Sequence, residues 1–124
     1  MTKILVLAIG SLAGGFARYY LAGFVYRVCG TTFPYGTMAV NLIGCFLIGL
    51  FSSLAEEKFL IGPEGRLLLM VGFCGAFTTF STFMLETANL IKAGESWLAF
   101  TNVVVSVAAG FIVFRVGILL GEVI

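Results

Sequence analysis

Hydroxyl-bearing and aromatic residues are interleaved in one short stretch of the chain, residues 75–83, which reads Gly-Ala-Phe-Thr-Thr-Phe-Ser-Thr-Phe. Its hydroxyls can donate and accept hydrogen bonds, and its phenylalanine rings have edges of positive partial charge. The flanking sequence is apolar enough to cross a membrane. Polar groups at membrane depth persist only where they are buried in protein or line a water-filled path. The stretch therefore predicts a site for a small hydrophilic species inside a bilayer.

The composition of the chain is that of an integral membrane protein. Of its 124 residues 60% are hydrophobic and 10% are charged, and the mean hydropathy is +1.13. A soluble domain is about a quarter charged. The first apolar run extends from Ile4 to about Val25, which is too long for the apolar part of a signal peptide. A net charge of +1 without a basic cluster argues against a nucleic acid partner. We therefore predict a single-domain, multi-pass protein of the cell (inner) membrane.

Four segments are long enough for the roughly 20 residues that a membrane-spanning helix needs. They comprise residues 4–25, 37–55, 67–91 and 97–120, and the predicted fold class is an all-α membrane protein with four transmembrane helices. Glycines four residues apart predict close packing between helices, and they form the pairs Gly10–Gly14 and Gly117–Gly121.

The third segment is weakly helical at its centre. Gly72, Gly75 and four hydroxyl residues disfavour a regular helix there, because glycine lowers helix propensity and hydroxyls compete for backbone hydrogen bonds. One interpretation is a break at residues 75–79, halfway across the membrane, which frees backbone groups to hold an ion. The other is an intact helix whose hydroxyls bond to carbonyls of the preceding turn.

The basic residues are almost balanced between the two sides of the predicted membrane. Four lie on the side of the termini and three on or towards the other side: Lys3, Lys58, Arg66 and Arg115 against Arg18, Arg27 and Lys92. The positive-inside rule therefore gives almost no orientation. Either this weak bias has no consequence, or the protein inserts both ways and forms an antiparallel, dual-topology homodimer. In such a dimer a break at mid-membrane would lie near the two-fold axis, where freed carbonyls suit a monovalent cation.

Three polar residues within the spans are candidates for contact with an ion. Arg18 and Glu86 are predicted near the same membrane face, where they pair, flank a vestibule or extend to the interface. Asn41, in the first turns of the second span, must bond a polar partner, which is either another helix or a permeating anion.

The third and fourth spans each have a helix face on which candidate ion-contacting residues recur at helical spacing. Phe80 and Phe83 share a helix face on which ring edges can meet an anion, although lipid-facing or core phenylalanine is the default interpretation. In the fourth span a polar stripe recurs every four residues, and it either lines a path or holds helices together: Asn102, Ser106 and Gly110.

The chain has no histidine, no nucleophile–base pair and no metal-ligand cluster, so an enzyme is not expected. Conduction or transport of a small ion is the function that fits these residues.

Two motifs carry a resemblance that covers the whole chain. A Gly-Thr-x-x-x-Asn motif ends at Asn41 and is followed by Gly44, and residues 75–83 are followed by Glu86. In length, number of spans and motif order the chain resembles the CrcB/Fluc family of bacterial fluoride channels. The resemblance implies passive, selective fluoride export that protects the cell. It also implies an antiparallel homodimer with two pores and a sodium ion on its axis.

The resemblance assigns a role to each candidate residue. The ring edges of Phe80 and Phe83 would face fluoride. The hydrogen-bond donors along the pore would be Asn41, Thr79, Ser81, Thr82 and Ser106. The backbone carbonyls of Gly75 and Thr78 would hold the sodium ion, and Arg18 and Glu86 would flank the vestibule. Gly110 and Phe114 stand where some relatives carry hydroxyls, which leaves the far end of this polar track open.

Two other protein classes share this outline. A small multidrug exporter also has four short spans in an antiparallel dimer, but it needs a membrane acid, typically in the first span. This chain has Arg18 there and no acid. The second alternative is a structural subunit of a larger membrane complex, which fluoride flux through the purified protein would exclude.

Overall fold

Long apolar runs, separated by short segments rich in glycine, proline and charge, divide the chain into helices. The computed structural model describes residues 1–124, and its regular structure is entirely helical. Helix α1 spans Thr2–Cys29 and α2 spans Tyr35–Glu56. Helix α3 (residues 63–77) consists of three consecutive pieces, Pro63–Gly65, Arg66–Cys74 and Gly75–Phe77. Helix α4 spans Phe80–Lys92 and α5 spans Ser96–Val123.

Four segments are long and apolar enough to cross a membrane: Thr2–Cys29, Tyr35–Glu56, Pro63–Lys92 and Ser96–Val123. The predicted all-α architecture with four spans is therefore confirmed. The helices extend beyond the predicted spans, since their ends also include polar residues that a hydropathy criterion leaves out. Two connections turn through glycines with positive φ, Gly30 at 90° and Gly94 at 81°, a conformation that other residues rarely adopt.

The third span contains two irregularities. Residues Arg66–Cys74 form a π-helix, a wider form that is rare and often marks functional sites. Two residues in extended conformation, Thr78 (φ −92°, ψ 158°) and Thr79 (φ −151°, ψ 118°), then separate α3 from α4. Gly75, with which the predicted break began, is helical at φ −60° and ψ −39°.

Glycines bring the backbones of neighbouring helices together. Helix α1 packs along α3 at Gly10 and Gly14, and a Cβ atom at Gly14 would overlap the carbonyl oxygen of Phe73. Helix α2 packs along α5 in the same way, where a Cβ at Gly117 would overlap the carbonyl oxygen of Phe46. The predicted role of these glycines in close helix packing is confirmed, and it suits a bilayer, where packing replaces the hydrophobic effect between helices.

Few side chains are enclosed by the single chain. Only 20 of the 124 residues are buried, and large apolar side chains face outward on all four spans. The helices therefore present most of their apolar surface to lipid or to another protein chain.

Candidate functional site

The side chain of Asn41 reaches from α2 to the backbone between α3 and α4. Its Nδ2 donates to the carbonyl oxygen of Thr79 at 3.0 Å, and the Thr79 N–H donates to its Oδ1 at 2.8 Å. One side-chain amide thus satisfies both backbone groups of a residue that lies outside any helix. Gly44, one turn further along α2, makes room for the methyl group of Thr78. The sequence left two partners possible for Asn41, another helix or a permeating anion. In the structure its side chain bonds to the Thr79 backbone, and one Nδ2 hydrogen remains available.

Two of the hydroxyls in residues 75–83 bond to nearby backbone. Thr78 Oγ1 donates to the carbonyl oxygen of Cys74 at 2.9 Å, and Thr79 Oγ1 caps α4 by accepting from the Thr82 N–H at 3.2 Å. The Thr82 side chain faces a cavity, whereas Ser81 is exposed on the surface of the single chain.

These local bonds leave two carbonyl oxygens without their helical donors. In a continuous helix the Gly75 carbonyl would accept from the Thr79 N–H, but that N–H is bonded to Asn41. The Thr78 carbonyl would accept from the Thr82 N–H, but that N–H is bonded to the Thr79 hydroxyl. Gly75 and Thr78 line a cavity of about 360 Å³ that is open to the surface. Its lining also includes Asn41, Thr79 and Phe80. The oxygen donors among the residues that line this cavity are backbone carbonyls, the hydroxyls of Thr78 and Thr79, and the Asn41 amide.

A cavity of about 420 Å³, called the inner cavity below, lies between α1, α2 and α4. Its polar lining includes Arg18 from α1 and Thr79, Thr82 and Glu86 from the start of α4. Thr82 and Glu86, four residues apart, lie on one face of α4, and Thr79 is the residue that caps its start. The structure therefore places Arg18 and Glu86 in the lining of one cavity.

Glu86 bonds to a residue that the sequence analysis missed. The Tyr26 hydroxyl donates to Glu86 Oε2 at 2.7 Å, while Glu86 Oε1 is buried without a hydrogen-bond partner. Tyr26 lies eight residues, or about two turns, after Arg18 on α1. Eight residues also correspond to a rotation of about 80° around the helix, so this spacing alone did not identify it.

The two phenylalanines of the motif are neighbours in different surroundings. Their ring centroids are 5.9 Å apart at an interplanar angle of 52°. Phe83 is 6% exposed and Phe80 is 72% exposed, so one ring is fixed inside the chain and the other lies on its surface.

The polar stripe of the fourth span connects α5 to α4. Asn102, 1% exposed, donates through Nδ2 to Thr87 Oγ1 at 3.0 Å, and Ser106 Oγ donates to Asn102 Oδ1 at 3.4 Å. Thr87 in turn donates to the carbonyl oxygen of Phe83 at 2.7 Å.

Further along α5 the side of the helix facing α2 is closely packed. A Cβ at Gly110 would meet the Cys45 sulfur at 3.4 Å, and Phe114 packs against Gly49. The Asn102 side chain therefore connects α5 to α4, whereas Gly110 and Phe114 contact α2.

The similarities of the chain to known proteins agree with these features. A model of the family described as "CrcB-like protein, Camphor Resistance (CrcB)" matches residues 5–118. A protein of Maridesulfovibrio salexigens named "Fluoride-specific ion channel FluC" is 44% identical over 124 residues, which cover 100% of this chain and 98% of that protein. Proteins of the same name are 52% identical over 108 residues in Geobacter sulfurreducens (87% of each chain) and 47% identical over 122 residues in Chlorobaculum tepidum (98% and 96%).

The resemblance deduced from the two motifs is thereby confirmed over the whole chain. With four spans and relatives that are ion channels, it is a multi-pass protein of the cell membrane. The chain belongs to the CrcB family.

Proposed function

We propose that the chain is a fluoride-selective channel, which exports fluoride passively across the bacterial cell membrane and so protects against fluoride toxicity. Relatives that share 44% to 52% of its sequence are named fluoride-specific ion channels. The observation that carries the proposal is the pair of extended residues, Thr78 and Thr79, between α3 and α4. There one Asn41 Nδ2 hydrogen remains available, and the carbonyls of Gly75 and Thr78 lack their helical donors. No acid lies in α1, so the multidrug exporter is not favoured.

The inner cavity is the proposed point of access for the anion. Arg18 is the one basic residue in its lining, and the hydroxyls of Thr79 and Thr82 face the same space. Fluoride is small and strongly hydrated, so a pore must replace its water with other donors. A positive charge at the mouth raises the local anion concentration before that exchange begins.

Beyond the inner cavity a series of donors would receive the ion. Each of these is a weak site: the remaining Asn41 N–H, the hydroxyls of Ser81 and Thr82, and the ring edges of Phe80 and Phe83. The Ser106 hydroxyl would join them by turning away from Asn102 Oδ1, to which it donates at 3.4 Å. Several weak sites in sequence allow an ion to leave as readily as it arrives. Their narrow spacing would exclude larger halides.

The pore would be completed by a second copy of the chain in the opposite orientation. Phe80 and Ser81 are exposed on the single chain, and the cavity beside Gly75 and Thr78 is open on that side. An antiparallel homodimer would cover these residues and bring two carbonyls from each copy towards the axis. Four carbonyls at mid-membrane suit a sodium ion, and its positive charge would favour anions in the neighbouring pores.

Efflux of fluoride from liposomes tests the function directly. Purified protein should release fluoride rapidly, measured with a fluoride electrode, and release chloride slowly if at all. Equal rates for the two halides would refute the selectivity, and no fluoride flux would favour a structural subunit.

The assembly needs separate measurements. Reporters fused to the C-terminus should show both orientations in the cell membrane, and a single orientation would exclude dual topology. Replacing sodium with a bulky organic cation during purification should weaken the dimer or its flux. Unchanged dimer stability and flux after thorough sodium removal would exclude the sodium site.

A further inference from the structure

The hydrogen bond between Tyr26 and Glu86 lies between two cavities. One is the inner cavity, which contains Arg18. The other is a cavity of about 630 Å³, called the outer cavity, bounded by the connections between α1 and α2 and between α4 and α5, where it meets Thr31, Pro34 and Glu95. Tyr26 and Glu86 line both cavities. The pair therefore forms part of the wall that separates them.

Tyr26 is held in place at both ends of its side chain. Its hydroxyl donates to Glu86, lies 3.3 Å from Thr37 Oγ1 and accepts from the Thr37 N–H at 3.4 Å. Its ring packs on Gly36, where an added Cβ would overlap the ring carbons. A side chain fixed by α2 in this way presents its hydroxyl proton to Glu86 in a defined position.

Glu86 has no comparable second support. Only Oε2 has a hydrogen bond, and Oε1 is buried without a partner. A carboxylate with an unpaired buried oxygen gains free energy by turning towards a donor or a cation. Arg18, the one basic residue of the inner cavity, offers both. Without the Tyr26 hydroxyl, the Glu86 carboxylate would turn into the inner cavity, offset the charge of Arg18 and repel an approaching anion.

We propose that Tyr26 is a positioning residue for anion access, which holds the Glu86 carboxylate in the wall between the cavities and keeps its negative charge out of the inner cavity. The proposal rests on the proposed fluoride conduction. It concerns a residue outside the donor series, one that lines the inner cavity but acts through the position of Glu86.

A double-mutant cycle in fluoride efflux tests this role. Y26F removes one oxygen atom and keeps the ring on Gly36. Loss of one hydrogen bond to a charged group should lower fluoride flux about ten-fold. In the E86Q background no carboxylate is left to misplace, so Y26F should change flux there by less than about two-fold, the usual scatter for groups that do not interact. Y20F, the same substitution at an exposed tyrosine of α1, is the matched control and should leave flux unchanged.

The comparison of the two backgrounds decides between a positioning role and damage to packing. Recovery of Y26F by E86Q, to the flux of E86Q alone, supports the positioning role, because damage to packing would persist in the double variant. The role would be overturned if Y26F lowered flux by the same factor in the E86Q background as in the wild type. It would also be overturned if the Y26F channel kept wild-type flux. A wild-type protein that releases no fluoride would overturn the proposed function and this role together.

Discussion

Replacing Asn41 with alanine removes both hydrogen bonds that hold the Thr79 backbone to α2. A hydrogen bond contributes a net stabilisation of about 0.5–1.5 kcal/mol, so the two together amount to about 1–3 kcal/mol. Thr79 is only half-buried, and water admitted at the site will recover part of that energy. We therefore expect a local effect near the lower end, about 1–2 kcal/mol.

Hydrogen–deuterium exchange of peptides that contain residue 79 measures this loss where it occurs. Since about 1.4 kcal/mol corresponds to a factor of ten, the Thr79 amide of the N41A variant should exchange about 5- to 30-fold faster than that of the wild type. N41D should fall between the two, because its carboxylate still accepts from the Thr79 N–H but cannot donate to the Thr79 carbonyl. N89A, at an exposed asparagine of α4, is the control and should leave exchange at residue 79 unchanged.

One result would refute the reasoning. If the Thr79 amide of N41A exchanges at the wild-type rate, then the extended conformation of Thr78 and Thr79 is maintained without Asn41. Asn41 would in that case be free to serve the anion alone, and its contact with the backbone would be incidental.

Two further substitutions test packing and the aromatic contact. Gly14→Ala should destabilise the protein by about 1–3 kcal/mol in thermal unfolding, because the new Cβ meets the rigid Phe73 backbone, whereas Gly15→Ala enters open space and should have little effect. Equal destabilisation by both would contradict the close approach of α1 and α3. Phe80→Ile keeps an apolar side chain without a positive ring edge and should lower fluoride efflux by about ten-fold or more, while Phe111→Ile on the outer surface of α5 should not. Full flux in Phe80→Ile would exclude the ring-edge contact.

Hydropathy and glycine spacing were sufficient to predict the four spans and the close packing of helices, because both depend on local composition. The sequence also indicated an irregular third span, since glycine and hydroxyl residues meet there. Its details depend on partners distant in the chain. Thr79 leaves the helix with Asn41 as its partner, 38 positions away, and Gly75 stays helical although glycine alone favoured a break.

The polar contacts were harder to predict for a related reason. Arg18 and Glu86, predicted near the same membrane face, line one cavity. A tyrosine near the end of a span, by contrast, has no sequence signal that distinguishes it from an ordinary interfacial residue. Tyr26 becomes informative only when α1 and α4 are seen side by side. Asn102 was left with two interpretations, and its bond to Thr87 selects the one in which it connects helices.

Helix α4 is held to its neighbours by a different type of interaction from the one that joins the other helices. Helix α4 contains no glycine. Side-chain hydrogen bonds from each of the other three spans connect them to α4 or to its N-cap residue: Asn41 to Thr79, Tyr26 to Glu86 and Asn102 to Thr87. Water competes directly for such hydrogen bonds, whereas the van der Waals contacts of backbones packed through glycine offer it no polar group to bond. In detergents that admit water to the protein interior, α4 should therefore loosen while the pairs α1–α3 and α2–α5 stay intact. The choice of detergent then becomes a functional variable, because a sample can keep its helical content and its elution volume after it has lost the geometry on which conduction depends.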